Sequence, residues 1–178
     1  MDMIYHKAVL TFVTAILFLS VASAQTRSVG TSWSFSGIGL TYSHEAGNRS
    51  FFDIQCKVEL GEVLMNRTNI PGVSLAFTRN YIIREWDTED GNKIYLISGP
   101  GISAGWSSDF LTNHGIHIGL KGCFGIECRY RRNINLSFCL APVIGVHISK
   151  QNDYMKMEYH RNGLLGTILP EVGIKYSF

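Results

Sequence analysis

Apolar residues recur at every second position over most of this chain, and that period admits few folds. It excludes amphipathic helices, which need a period near 3.6, and points to long strands with one apolar face. One segment carries Ile134, Leu136, Phe138, Leu140, Pro142, Ile144, Val146 and Ile148 on one side and Asn135, Ser137, Cys139, Ala141, Val143, Gly145, His147 and Ser149 on the other. The segment before it sets Ile116, Ile118, Leu120, Phe124, Ile126 and Tyr130 against His117, Gly119, Lys121, Gly125, Glu127 and Arg129. Earlier, Phe52, Ile54, Cys56, Val58 and Leu60 alternate with Phe51, Asp53, Gln55, Lys57 and Glu59. The last segment has Leu164, Ile168, Pro170, Val172, Ile174, Tyr176 and Phe178 against Gly163, Thr167, Glu171, Gly173, Lys175 and Ser177, with Leu165 and Leu169 out of phase.

These runs are longer than ordinary soluble strands and reach the roughly 9–11 residues a tilted strand needs to cross a bilayer. A soluble lipocalin-like barrel would alternate too, with its apolar face inward. The ionic second face and the aromatic strand ends favour the inverted sense, in which lipid meets the apolar face and polar side chains fill the interior. The expectation is one domain, an eight-stranded antiparallel up-and-down transmembrane β-barrel. Its strands lie near 27–35, 38–45, 50–63, 73–86, 93–106, 115–130, 134–149 and 163–178. The first two meet in a tight turn at Ser36–Gly37. Arg79 would follow Val73, Leu75 and Phe77 into lipid unless a bulge near 78–80 re-aims the strand. Short polar turns at 44–50, 87–92 and 131–133 alternate with longer loops at 64–72, 107–114 and 150–162. Trp33, Trp86, Trp106, Tyr42, Tyr130 and Tyr176 suit belts at the two interfaces.

The first 24 residues read as a secretory signal peptide. Lys7 precedes an apolar run from Ala8 to Val21, and Ala22-Ser23-Ala24 is a small-x-small cleavage site, so the barrel domain spans 25–178. Eighteen glycines with 46% hydrophobic and 17% charged residues fit neither a disordered chain nor a helical one. A net charge of +2 gives no basic field for nucleic acid. Cys56, Cys123, Cys128 and Cys139 lack metal-type spacing and read as small apolar fillers, and no cofactor is implied.

The stretch Pro-Glu-Val-Gly-Ile-Lys-Tyr-Ser-Phe (170–178) is similar to the terminal strand of bacterial outer-membrane barrels, which typically ends in phenylalanine. Residues 125–138 and 37–42 resemble hairpins of the small Bacteroidetes-type barrels, akin to OmpX- and PorT-like chains. The resemblance covers the whole chain after the signal and carries no catalytic motif. It implies residence in the bacterial outer membrane, contact with its lipid and lipopolysaccharide, and reading of the strand ending at Phe178 by the barrel-assembly machinery. It also implies a structural or surface-interaction role, with a surface or secretion partner left open.

The inward ionic set is Asp53, Lys57, Glu59, Lys121, Glu127, Arg129, Glu171 and Lys175. In so narrow a barrel, mixed charges read as a paired plug rather than an ion path. A three-residue turn at 131–133 sets His117 opposite His147, both inward, with Ser149 two residues further along the same face. His114 and His160 lie in adjoining loops, and Glu158 could fold over. Such a cluster at the rim could bind a divalent metal, or act as a base beside Ser149 in an enzyme acting on outer-leaflet lipid; hydrogen-bonded rim histidines without chemistry are the plainer reading. A narrow transport channel is the third reading. Tyr154, Met155, Met157 and Tyr159, interleaved with Lys156, Glu158 and Arg161, form an amphipathic loop suited to lipopolysaccharide, a partner or the headgroup layer.

Overall fold

The computed structural model describes residues 26–109, 114–130, 133–151, 154–165 and 170–178. The expected signal segment lies outside the described residues, as do positions 131 and 132 of the expected turn.

The strands are β1 (Arg27–Ser34), β2 (Gly37–Glu45), β3 (Ser50–Glu59), β4 (Gly72–Asp87), β5 (Lys93–Ser107), β6 (Gly115–Tyr130), β7 (Ile134–Leu140), β8 (Val143–Gln151), β9 (Tyr154–Tyr159) and β10 (Glu171–Ser177). Two short helices are α1 (Gly61–Leu64) and α2 (Arg161–Leu165). Consecutive strands from β1 to β6 pair antiparallel, β6 pairs with both β7 and β8, β7 pairs with β10, and β10 returns to β1. The ring is therefore closed. The ten strands make eight staves, because β7 and β8 are halves of one stave and β9 stands beside β8 above β10.

The barrel is inverted relative to a soluble one. Leu40, Ile102, Ile118, Leu120 and Ile144 face outward, and Leu120 is 70% exposed. The interior instead buries Ser32, Gln55, Thr78, Asn80, His117, Glu127, His147 and Lys175. In water this belt would be an apolar patch far beyond what a monomer tolerates. In lipid the same faces are at rest, and closure of β1 on β10 removes the open sheet edge through the belt. Trp33 and Trp106 stand outward near the ends of β1 and β5 at the loop end of the barrel. Trp86, Tyr130 and Tyr176 stand outward near the opposite end, where Arg27 pairs with Phe178.

The interior is layered. At the terminal end Glu127 binds Lys175 (2.6 Å) and Arg129 (2.8 Å), and Lys175 lies 3.7 Å from Asp53. Asn80 donates to Asp53 at 2.7 Å, and Phe51 fills the remaining space beneath the cations of Arg129 and Lys175. One layer up, Glu171 pairs with Lys57 (3.3 Å) and accepts from Gln55 (2.6 Å), which also receives a hydrogen bond from Lys121 (2.7 Å). Every member of the expected inward set points inward, and charges of both signs meet, which offsets part of the cost of burying them.

Five expectations are corrected. β3 ends at Glu59 rather than 63, because further extension would put Glu62 in phase with Val58 and Leu60 on the lipid face; α1 turns Glu62 inward instead. The first turn is Phe35–Ser36, one residue earlier than expected. The bulge in β4 falls between Ile82 and Arg84, not at 78–80. Arg79 does remain on the outer face, its guanidinium stacked over Phe52 (5.4 Å) and Tyr81 (5.3 Å). The seventh stave is interrupted at Ala141–Pro142, since Pro142 has no N–H to return the bond that Gly122 donates to its carbonyl (2.8 Å). The pairing with β6 nevertheless keeps one register across the break.

The fifth correction concerns the last loop and stave. Tyr154–Tyr159 is a strand, residues 161–165 are helical, and β10 begins only at Glu171; residues 166–169 lie outside the described residues. The out-of-phase Leu165 already breaks the alternation there. Folded into the mouth, α2 roofs the loop end.

A candidate functional site under the roof of the barrel

Strand register builds the site. β6 and β8 place His117 directly opposite His147, as the expected turn requires. Both side chains are buried. Gly105 of β5 is the other cross-strand partner of His117, and a Cβ there would lie 2.6 Å from His117 Cε1, so this glycine makes the space for the ring. Ser107, two residues further along β5, shares a hydrogen bond between its Oγ and His117 Nδ1 at 3.0 Å. His147 Nε2–H donates to the Ser107 carbonyl at 3.0 Å, which leaves its Nδ1 buried and without a partner.

A third imidazole completes the group. His160 stacks on His117 with ring centres 4.6 Å apart and planes 4° from parallel, and its ring centre lies 6.5 Å from that of His147. His160 Nδ1 is 3.3 Å from Asp109 Oδ2. Asp109 also accepts from the backbone N–H groups of Arg161 and Asn162, both at 2.8 Å, and so caps α2 from the neighbouring loop. Burial alone would raise the Asp109 carboxyl, but the His160 and backbone hydrogen bonds outweigh it and hold the group below its usual range. Asn162 Nδ2 reaches Glu62 Oε1 at 3.1 Å, tying α2 to α1.

Beneath this roof lies a chamber of about 270 Å³. Its wall includes Ser107, His117, His160 and Gly163, its floor is the Lys57–Glu171–Gln55–Lys121 layer, and Phe35, Met65 and Ile70 stand at its exposed edge. The expectation of an interior filled throughout by side chains is therefore corrected for the loop half, while the terminal half keeps only small voids, the larger about 40 Å³. Small residues on the inward faces of β4 and β5, Ser74, Ala76 and Ser103, leave the space.

Several sequence candidates stand apart from this group. Ser149 is buried beside the pair, but neither nitrogen of His147 bonds to it. Glu158 is in register with His147 yet pairs with Lys156 at 2.8 Å. His114 bonds the Ile70 carbonyl (3.0 Å) and packs on Trp106. Tyr154, Met155, Met157 and Tyr159 stand exposed on β9 and do not line the chamber. Among the described residues no three His, Cys, Asp or Glu side chains converge as metal ligands; stacked rings present faces to one another rather than lone pairs to a common point. Ser107, Asp109 and Glu62 were missed. Ser107 could have been found, because the β5–β6 hairpin sets Gly105 against His117 and so places Ser107 diagonally beside it. Asp109 and Glu62 act from outside the ladder, where alternation carries no signal.

No family model matches the chain, and no curated protein matches it. Among solved structures it is similar to the N-terminal β-barrel domain of Pseudomonas aeruginosa OprF, with 9% identity and a TM-score of 0.48 over 86% of this chain and 96% of that one. It is also similar to Ail, the attachment invasion locus protein of Yersinia pestis, with 13% identity and a TM-score of 0.37 over 86% of this chain and 97% of that one.

Proposed function

We propose that the protein is a bacterial outer-membrane barrel that works at its outer surface rather than as a pore. The observation that carries this is the inversion of the barrel: an apolar belt outside, a paired ionic plug across the terminal half, and a chamber of about 270 Å³ in the loop half. Closed barrels of this polarity are one of only two ways a chain can span lipid. In this reading the termini face the periplasm, β10 with Phe178 is the strand offered to the barrel-assembly machinery, and the loop end meets lipopolysaccharide or a surface or secretion partner. Tyr154, Met155, Met157 and Tyr159 on the protruding β9 are the contact residues.

The test is direct. The protein fractionates with the outer membrane and migrates differently on a detergent gel before and after boiling, and it gives no conductance steps in a planar bilayer. A soluble protein with unchanged migration would refute the membrane reading, and stable conductance would refute the plug.

One observation favours a second reading, an acyl hydrolase acting on outer-leaflet lipid. Ser107 Oγ and His117 share a hydrogen bond on the chamber wall, so Ser107 rather than Ser149 would be the nucleophile and His117 its base. Lipid mass spectrometry decides it. Loss of a lipid product in Ser107→Ala and His117→Ala would support hydrolysis, and an unchanged lipid profile with and without the protein would dismiss it.

A further inference from the structure

The outer face of the barrel carries charges that no carboxylate of the chain answers. Arg79 stands on that face of β4, in register with Phe52 of β3. Its guanidinium lies over the rings of Phe52 (5.4 Å) and Tyr81 (5.3 Å) and meets no carboxylate among the described residues. Tyr81 is two residues nearer the terminal end, so the side chain is turned towards that end. Arg84 follows on the same strand just past the bulge, exposed, with its guanidinium over Trp86 (5.3 Å) and again no carboxylate partner among the described residues. The acidic residues beside it in sequence, Glu85 and Asp87, are both held by Lys93. Arg49 is exposed in the β2–β3 turn, and its carbonyl accepts from Ile82 N–H at 2.9 Å, which sets it between the levels of Arg79 and Arg84. A guanidinium on the lipid face of a barrel is costly, more so with depth, and long cationic side chains lessen that cost by reaching for the headgroups.

We propose that the outer face of β3 and β4 near the terminal end binds the phosphate of an anionic glycerophospholipid, with Arg79 and Arg84 donating to the phosphate oxygens and Arg49 beside them. The inference rests on the membrane reading above, in which this end lies in the periplasmic leaflet. A guanidinium stacked on a ring keeps its in-plane N–H groups free, and that fork matches two phosphate oxygens at once. Phe52, Tyr81 and Trp86 therefore hold the two forks flat and leave their donors to a ligand. On the loop side of Arg79 the same face continues as Phe77, Leu75 and Ile54, all exposed, which is the surface an acyl chain needs. Phosphate and acyl chain are thus met in the order in which a phospholipid presents them from the periplasmic side. A zwitterionic headgroup would bring its ammonium among guanidiniums whose neighbouring carboxylates are already taken by Lys93, so the site favours a headgroup with net negative charge.

The experiment uses the full-length protein refolded in phosphatidylcholine vesicles, with Trp33→Phe and Trp106→Phe so that Trp86, stacked under Arg84, is the sole emitting tryptophan. Its quenching by a minor fraction of brominated phosphatidylglycerol is compared with quenching by the same fraction of brominated phosphatidylcholine. The anionic lipid is expected to bind about fivefold or more tightly, the effect of one basic residue beside an anionic lipid surface. Arg79→Gln together with Arg84→Gln should remove the preference, and each change alone should weaken it. Inorganic phosphate added at fixed ionic strength should leave the preference in place; its loss would mean that the site takes a free anion and would overturn the lipid assignment. Both substitutions take charge off a lipid-facing surface and so favour insertion, and migration before and after boiling verifies the fold. Equal quenching by the two brominated lipids, or a preference that survives in the double variant, would overturn the proposal and leave the membrane reading standing. Quenching by neither lipid would overturn the membrane reading and the proposal with it.

Discussion

At the scale of single residues, the interior is governed by partners rather than by burial. Glu127 is 1% exposed and is held between Lys175 and Arg129. Lys175→Met removes one partner and leaves a buried carboxylate under-compensated, so the unfolding free energy in urea should fall by about 3–5 kcal/mol. An unchanged value would mean water already reaches this layer. Gly105→Ala sets a methyl against His117 Cε1 and the Val73 carbonyl, 2.6 and 2.5 Å away, and should cost roughly 1–3 kcal/mol in the same assay. The clamp on α2 depends on pH. The folded Asp109 carboxyl lies below its ordinary value of 3.8, so its stabilising contribution is complete above that value and is lost as pH falls through the lower folded value. Proteolysis of the roof should therefore accelerate only below about pH 4, and Asp109→Asn should be cut readily across the whole range.

At the scale of elements, strength follows the number of paired edges. β6 is bonded on both sides, whereas among the described residues β9 is bonded only to β8. Backbone amides of 154–159 should exchange with deuterium well before those of 115–130, and equal protection would mean that another strand covers the free edge of β9. The same contrast explains what the sequence could disclose. β6 and the seventh stave carry long alternation and a short turn, which narrow the His117–His147 pairing to face-to-face or one pleat apart, and the structure has the first. The interruption at Pro142 leaves that register intact because the even positions stay outward on both sides of it. α1, β9 and α2 escape because they are built outside the lipid belt, where no apolar face is required. Their placement follows from Asp109, Asn162 and Glu62, contacts between residues far apart in the chain. Ser107 lay within reach of register arithmetic, while the roof and the chamber depend on tertiary contacts that alternation does not encode.

At the scale of the whole molecule, everything turns on which face meets lipid. The division of labour follows from it: the terminal half is crossed by the ionic layers inside the apolar belt, and the loop half carries the chamber and the β8–β9 hairpin. The chain offers its own probes of this arrangement. Its three tryptophans, Trp33, Trp86 and Trp106, all stand on the outer face at 40–44% exposure. The most direct measurement is tryptophan fluorescence of the refolded protein in vesicles, comparing quenching by brominated lipid with quenching by iodide in the water. A lipid-facing apolar belt gives strong quenching by bromines placed near the headgroups, weaker quenching by bromines at the bilayer centre, and little effect of iodide. Quenching by iodide with none from lipid would place the apolar belt in water and contradict it.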